Sequence, residues 1–368
     1  MPDTILPAAD AATHRKSPFA DGVTGPVHFQ IAWDSTSLGL FKECPRKYYY
    51  EIILGWRPKG TSVHLKFGQL YHAGMEAYDH YAASLGKLAG GLTNDEHDEG
   101  IHRAIRHVLE LAATWAKCEP CLGRGYLNLI DREGTVPCGD CRGKGKVFVE
   151  GWLSGDPYKN MWTLCRSIVW YLDTFRDSPL RTVTLSNGKP AVELSFYFDA
   201  GDINGASFGF CGHLDRVVTS DADGGRASVH DRKTTKGQLN SRYWSGFNPH
   251  NQFTLYTAAG SIHYQQPTWG ITVDAAQVLV NSTAFERKFI PYPPVLVDEW
   301  LSEANVWISL AYRYAEMETW PRNDKSCGNY GGCPFIPVCS KSASFRQRWL
   351  EADFKPERWN PLLTRGDI

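Results

Sequence analysis

The sequence predicts a mixed α/β (α+β) fold in which a central sheet is flanked by helices that precede and follow it in the chain. Two observations carry this expectation. Apolar residues recur at helical spacing over about 35–55, 66–84, 98–116 and 158–176, and over about 190–290 the texture changes to alternation of period two. A third observation bounds it: 42% of the 368 residues are hydrophobic and 21% charged, which suffices for one large core or two modest ones and differs from the composition of a disordered chain.

Residues 1–27 carry Pro, Ala, Asp and Gly without an apolar core, so they are expected to form a disordered tail and resemble neither a secretory signal nor an Arg-rich transit peptide. Ser35-Thr36-Ser37 open an aromatic-rich helix that runs to Gly55-Trp56 and carries Cys44, with Pro45 the natural place for a kink. The second helix holds His72 and Glu76 among Phe67, Tyr71 and Tyr78; the third sets Ile101, Ile105, Val108 and Ala112 on one face. After a fourth helix, Val192, Leu194, Phe196 and Phe198 point one way while Glu193, Ser195 and Tyr197 point the other. Strands at about 207–218 and 227–233 follow, separated by the turn-forming run Ser220-Asp221-Ala222-Asp223-Gly224-Gly225. A helix at about 250–264, strands near 271–282 and 285–290, and a long helix at about 297–318 complete the order. The expected divisions are the tail 1–27, an N-terminal helical part 28–115, an insertion 116–150, a core 151–300 and a closing segment 301–368.

With 39 Lys and Arg against 40 Asp and Glu, the net charge of −1 supplies no overall basic field, so contact with a polyanion must come from local patches. The longest apolar stretches, such as Val278-Leu279-Val280 and Val295-Leu296-Val297, are far shorter than the roughly 20 residues that span a bilayer. No membrane partner is expected.

Ten cysteines without an export signal favour metal or cluster ligation over disulfides. Cys118, Cys121, Cys138 and Cys141 form two C-x2-C pairs, each continuing as C-x-G-x-G, with 16 residues between the pairs. Four thiolates so spaced suit one tetrahedral zinc, and the glycines let the backbone turn its amides toward the sulfurs. Over about 30 residues this repeat resembles half of the zinc-binding region of DnaJ chaperones, which implies the zinc and not the chaperone role. The second set, Cys44 with Cys327, Cys333 and Cys339, must meet from opposite ends of the chain. Its spacing alone suits a second zinc as well as iron and sulfur. Cys165, on an apolar helix face, and Cys211, in a strand, read as core residues.

The run Gly212-His213-Leu214-Asp215-Arg216-Val217 places Asp215 on one strand, and Val229-His230-Asp231-Arg232-Lys233 places Asp231 and Lys233 two apart, on one face, on the next. If the strands pair, two carboxylates and an ammonium converge, a group that would hold magnesium or manganese through hard oxygen ligands while the lysine supports an attacking water. Such chemistry is phosphodiester hydrolysis. Gln252 and Tyr256, four apart on the following helix, share a face that could contact a phosphate.

Cys44-Pro45-Arg46-Lys47-Tyr48, Gly68-x3-His72, Gly212 to Val217, Asp231-Arg232-Lys233, Gln252-x3-Tyr256 and the terminal cysteines occur in the order found in RecB-like PD-(D/E)XK nucleases. Over about residues 35–340, apart from the zinc insertion, the chain most resembles their iron-sulfur branch, which includes AddB-type helicase-nucleases and CRISPR-associated adaptation nucleases. The resemblance implies a restriction-endonuclease-like core and assigns the catalytic metal to His72, Asp215 and Asp231, aided by the backbone carbonyl of Arg232. It further implies that Lys233 orients the water, that Gln252 and Tyr256 form the Q-x3-Y motif, and that Cys44, Cys327, Cys333 and Cys339 hold a 4Fe-4S cluster stapling the two ends of the domain. The chain departs from the family pattern in carrying Asp at the position more often Glu, and C-x5-C-x5-C in place of C-x2-C-x5-C.

The expected function is therefore that of a Mg- or Mn-dependent DNA nuclease, exo- or endonucleolytic, acting on single strands or ends. Its setting would be repair, recombination or phage DNA processing, in the cytoplasm of a bacterial or phage-infected bacterial cell. No G-x4-G-K-[ST] pattern occurs, so any helicase or recombination partner would be a separate protein. The rival expectation is a noncatalytic nucleic-acid binding or adaptor protein that uses its zinc and cluster modules structurally; the intact set of His72, Asp215, Asp231 and Lys233 argues against it. A DnaJ-like accessory role rests on the zinc repeat alone and lacks a J-domain.

Overall fold

A computed structural model of the chain describes residues 6–7, 17–23, 25–60, 62–86, 91–129, 134–150, 152, 154–185, 188–220, 224–264 and 268–363. Helix α1 (Ser35–Glu43) is capped by Asp34, whose carboxylate accepts the amides of Thr36 and Ser37 while the Ser37 hydroxyl reaches back to the Asp34 amide. The expected helix to residue 55 is broken at Cys44, which is extended at φ −160° and ψ 109°, because a residue preceding proline is driven out of the helical region. Helical winding resumes at Pro45–Tyr48 and widens into a π-turn at Tyr49–Ile53.

Helices α2 (Val63–Ser84), α3 (Asn94–Ala112) and α4 (Met161–Thr174) start where Ser62, Thr93 and Asn160 cap them. The Thr93–Glu96 capping box explains why α3 begins four residues before the apolar pattern suggests. Strands β1 (Val192–Ile203), β2 (Ala206–Thr219) and β3 (Ala227–Thr235) pair antiparallel in succession. The main chain then crosses over through α5 (Asn251–Tyr264) to β4 (Gly270–Val278), which lies parallel to β3, and β5 (Thr283–Pro291) returns antiparallel. A strand-helix-strand crossover is what a parallel pair demands. The result is a mixed eight-stranded sheet when the short edge pairings are included.

Each face of the sheet is covered. Ala276 and Val278 of β4 pack with Phe67, Leu70, Val108 and Ile168 of α2, α3 and α4. Val229, Ile271, Val273 and Ala275 pack with Phe253 and Leu255 of α5, Leu38 and Phe41 of α1, and Ala304 and Ile308 of the long helix α6 (Pro294–Glu316). Alternate residues of one strand therefore serve the two layers. The fold is a helix-sheet-helix sandwich, as the sequence predicts.

Part of the stretch expected as a tail joins this frame. Phe19 bridges Gln30 and the main chain of Leu6–Pro7 pairs with Phe196–Tyr197, while just beyond that stretch Ala32–Trp33 runs parallel to Gly209–Phe210. Pairings of two residues leave no periodic signal in a sequence. At the other end, α7 (Ala343–Asp353) leads into Phe354–Pro356, which pairs with Trp56–Pro58, and Trp359 Nε1 donates to Asp34. Arg46 donates to the carbonyl of Trp320 and Asn323 to that of Glu43, so the chain's two end regions are bound to each other.

Between α3 and α4, Thr114–Lys117 pairs with Lys146–Glu150 and Tyr126–Asn128 with Thr135–Pro137, building the stem and tip of the cysteine-rich insertion. Of the run 220–225, residues 221–223 lie outside the described residues; Gly225 N donates to Ser220 O at 2.9 Å across the turn. Among the described residues no helix is long and apolar enough to cross a membrane.

Candidate active site and cysteine centres

The ladder between β1 and β2 ends at Leu214–Leu194, and that between β2 and β3 begins at Arg216–His230. Asp215 thus stands where β2 passes from one neighbour to the other. Continuing the β2–β3 register sets it opposite Asp231. Here α2 brings His72, whose Nδ1 lies 2.9 Å from Asp215 Oδ2. Lys233, one alternation beyond Asp231 on β3, places Nζ 3.0 and 2.8 Å from the two Asp231 oxygens. Lys233 also donates to Gln252 Oε1 at 3.0 Å, and Gln252 Nε2 donates to the Tyr256 hydroxyl at 3.0 Å. One turn of α5 thereby gives the ammonium a second partner beside the carboxylate. Of the six side chains that the sequence singles out, His72 pairs with Asp215, and Asp231, Lys233, Gln252 and Tyr256 form a chain of contacts; the register of β2 and β3 sets the two side by side.

Accessibility is graded across it. The Asp231 side chain is 1% exposed, Asp215 12%, His72 19% and Lys233 27%, so the group opens at its lysine and histidine. Burial pushes the Asp231 carboxyl above the usual carboxylate range; Lys233 and His72 counter this and the neighbouring Asp215 adds to it. Asp231 Oδ2 is buried, with the Lys233 ammonium 2.8 Å away as its charged neighbour. Two facing carboxylates offer the hard oxygen donors that a divalent cation takes, and the 2.9 Å His72–Asp215 separation fits adjacent ligands of an octahedral ion, about 3 Å apart for bonds of about 2.1 Å, although the ligand atoms of His72, Asp215 and Asp231 do not all lie within 4.8 Å of one another.

Two neighbours were not legible beforehand. Burial and then Lys233 hold the His250 imidazole down to about 4, so it is neutral beside the ammonium at pH 7. Burial and then Asp231 push the Tyr243 phenol up to about 12. His213 Nδ1 lies 2.8 Å from Ser195 Oγ across β1 and β2.

Residues 230 and 232 point to the sheet's other face, where a buried polar network supports the strand. Asp79 of α2 accepts from both terminal nitrogens of Arg232, at 2.7 and 3.2 Å, and contacts Arg216 at 3.4 Å. Arg232 Nε donates to the Tyr171 hydroxyl at 3.0 Å, and that hydroxyl donates to Asp274 at 2.5 Å. Asp274 also takes His230 Nε2 at 2.9 Å and a bidentate Arg287 at 2.5 and 2.6 Å. Desolvation works against both carboxylates, but the guanidiniums of Arg232 and Arg216 hold Asp79, and His230 and Arg287 hold Asp274, below the usual range. Burial depresses His230 to about 4 despite Asp274. Arg232 therefore has its side chain locked behind the site while its backbone lies between Asp231 and Lys233.

The insertion brings Cys118, Cys121, Cys138 and Cys141 together, all buried, with every pair of ligand atoms within 4.8 Å. Sulfurs 3.8 Å apart (Cys118 and Cys138) and 3.7 Å apart (Cys121 and Cys141) match a tetrahedron of bonds of about 2.3 Å, whose corners stand about 3.8 Å apart. Gly125 N and Gly145 N donate to Cys121 and Cys141 at 3.3 and 3.2 Å. Side chains are barred there: both glycines have positive φ, and a Cβ would fall 2.4 Å from Gly143 O or 2.3 Å from Gly123 O. This centre can hold a metal ion.

Cys44, Cys327, Cys333 and Cys339 come to one neighbourhood but do not meet that mutual distance. The Asn323 amide donates to Cys44 Sγ at 3.4 Å while the Cys327 thiol donates to Asn323 O at 3.8 Å, and Cys333 and Cys339 pack beside Tyr50 and Phe335. Burial raises the thiols of Cys333 and Cys339, and Cys44 adds to both.

A helix-sheet-helix sandwich that sets carboxylates and a lysine at a fork of its central strands is the framework of a phosphodiester-cleaving enzyme. The family model for the PD-(D/E)XK nuclease superfamily matches residues 33–131 and 158–340, and the chain belongs to that superfamily. No curated protein matches it. The break in the match falls within the cysteine-rich insertion and the segment leading to α4.

Proposed function

We propose that the protein is a Mg- or Mn-dependent DNA nuclease whose active site is the group of His72, Asp215, Asp231, Lys233, Gln252 and Tyr256. The observation that supports this best is the β2–β3 register, which sets Asp215, paired with His72, opposite Asp231, paired with Lys233. His72, Asp215 and Asp231, with the carbonyl of Arg232, would hold the cation, which when bound neutralises charge on the scissile phosphate. Lys233 holds its ammonium at the open end of the group, where it can orient a water and stabilise negative charge developing on phosphate oxygens. Gln252 and Tyr256 keep that ammonium in place, and the neutral His250 adds no competing charge. The geometry of Cys118, Cys121, Cys138 and Cys141 favours zinc. The wider spacing of Cys44, Cys327, Cys333 and Cys339 favours an iron-sulfur cluster, whose ligands stand farther apart than those of a single ion.

Cleavage of end-labelled single- and double-stranded DNA and of RNA, with either metal and with anaerobically purified protein, tests the reading. Asp231→Ala and Lys233→Ala should bind DNA yet cut it at least about a hundredfold more slowly, the scale of one lost transition-state donor. Wild type that binds DNA with both cysteine centres loaded and cuts nothing would transfer the assignment to an adaptor.

A further inference from the structure

Behind the active site, α2, α4 and strands β2, β3 and β5 enclose a cavity of about 120 Å³, several times the roughly 30 Å³ taken by one water. Four guanidiniums line it, those of Arg176, Arg216, Arg232 and Arg287, and Asp79 is the one carboxylate among the lining residues. Asp274, behind the wall, is already engaged by His230, Tyr171 and Arg287. Arg216 has a weaker hold on acid than its neighbours: it donates to the neutral Thr182 hydroxyl at 2.8 Å and reaches Asp79 only at 3.4 Å, although it is buried. Arg176 donates to the neutral Asn94 at 2.5 Å. Of the remaining nearby acids, Asp173 is 58% exposed and paired with His97.

Four cations thus surround a polar cavity against two carboxylates. Arg216 and Arg232 are buried and share the one carboxylate of Asp79, while Arg176 and Arg287 are half-buried; buried guanidiniums in excess of their counter-ions are costly unless an anion completes them. Their planar forks, together with the hydroxyls of Thr182 and Ser178, present donors in several directions around one small volume. We propose that this cavity is a binding site for a compact phosphate-type oxyanion, on the face of the sheet opposite the Asp215–Asp231 group. Inorganic phosphate and the phosphoryl group of a mononucleotide share the required chemistry.

Calorimetric titration of the full-length protein without added divalent cation tests this, with inorganic phosphate in one arm and a 5′-mononucleotide in the other. One equivalent should bind. Arg216→Met should abolish binding, and Arg176→Gln, at the more open side, should weaken it at least about tenfold, the loss of one charge-assisted hydrogen bond. Lys233→Ala, on the opposite face, should leave it unchanged. Arg176→Gln carries the test should Arg216→Met fail to fold. Binding in the nucleotide arm alone would assign the site to a nucleotide phosphoryl group, and binding in both arms to the free anion. No binding in either arm, or binding that Lys233→Ala removes and Arg176→Gln spares, would overturn the proposal.

Discussion

Replacing Asp79 by alanine removes the single carboxylate on which two buried arginines converge. The side chains of Arg232 and Arg216 are 4% and 7% exposed, and together they place three nitrogens within 3.4 Å of the Asp79 oxygens. Arg232 would keep the Tyr171 hydroxyl and Arg216 the Thr182 hydroxyl, but neither would keep a counter-charge. Removing one partner of a buried pair costs about 3–5 kcal/mol, because the other charge stays desolvated. Urea unfolding at pH 7.5 should show a loss of that size. The sign of its pH dependence follows from the depressed Asp79 carboxyl: its contribution is fully present above the unfolded value of about 3.8 and is lost as pH falls through the lower folded value. The gap between wild type and variant should therefore stay constant from pH 8 to pH 5 and narrow only in stronger acid. Adding Arg232→Met should recover part of the loss, since an apolar side chain needs no counter-charge. A single-variant cost under about 1 kcal/mol would refute the view that this network is tightly held.

Two further outcomes are expected. Cys118→Ser with Cys121→Ser should release the metal of the insertion, measured by elemental analysis, and leave the unfolding of the sheet domain unchanged, because the insertion is built on its own stem and tip strands; global unfolding would show that the insertion is part of the core. His230, depressed to about 4, contributes stability that is present above the unfolded value of about 6.5 and lost as pH falls through 4, so His230→Gln should flatten the decline of wild-type stability between those pH values.

What could be read in the sequence is what one element encodes. Asp231 and Lys233 share a face because a strand repeats every two residues, and Gln252 and Tyr256 because a helix repeats near four, so each pair is legible without tertiary knowledge. The strand-helix-strand order around α5 likewise foreshadows the parallel pairing of β3 and β4. The supporting network is different: Asp79, Tyr171, His230, Arg232, Asp274 and Arg287 come from five elements, and each alone reads as an ordinary polar residue. The break at Cys44 was written in Pro45, but only the structure shows that it interrupts the helix rather than bending it.

The binding of the two end regions to each other sets an order of assembly during synthesis. Asp215, Asp231 and Lys233 lie on strands that can pair once β5 has emerged, whereas the turn at Cys44 gains its partners at Trp320 and Asn323, and Trp56–Pro58 its neighbour at residues 354–356, only after those later residues have been made. Some 65 residues separate Pro291, where β5 ends, from Pro356, roughly 3–13 s at about 5–20 residues per second. For that interval the nascent chain carries Asp215 and Asp231 on a sheet whose N-terminal helices are still unfastened.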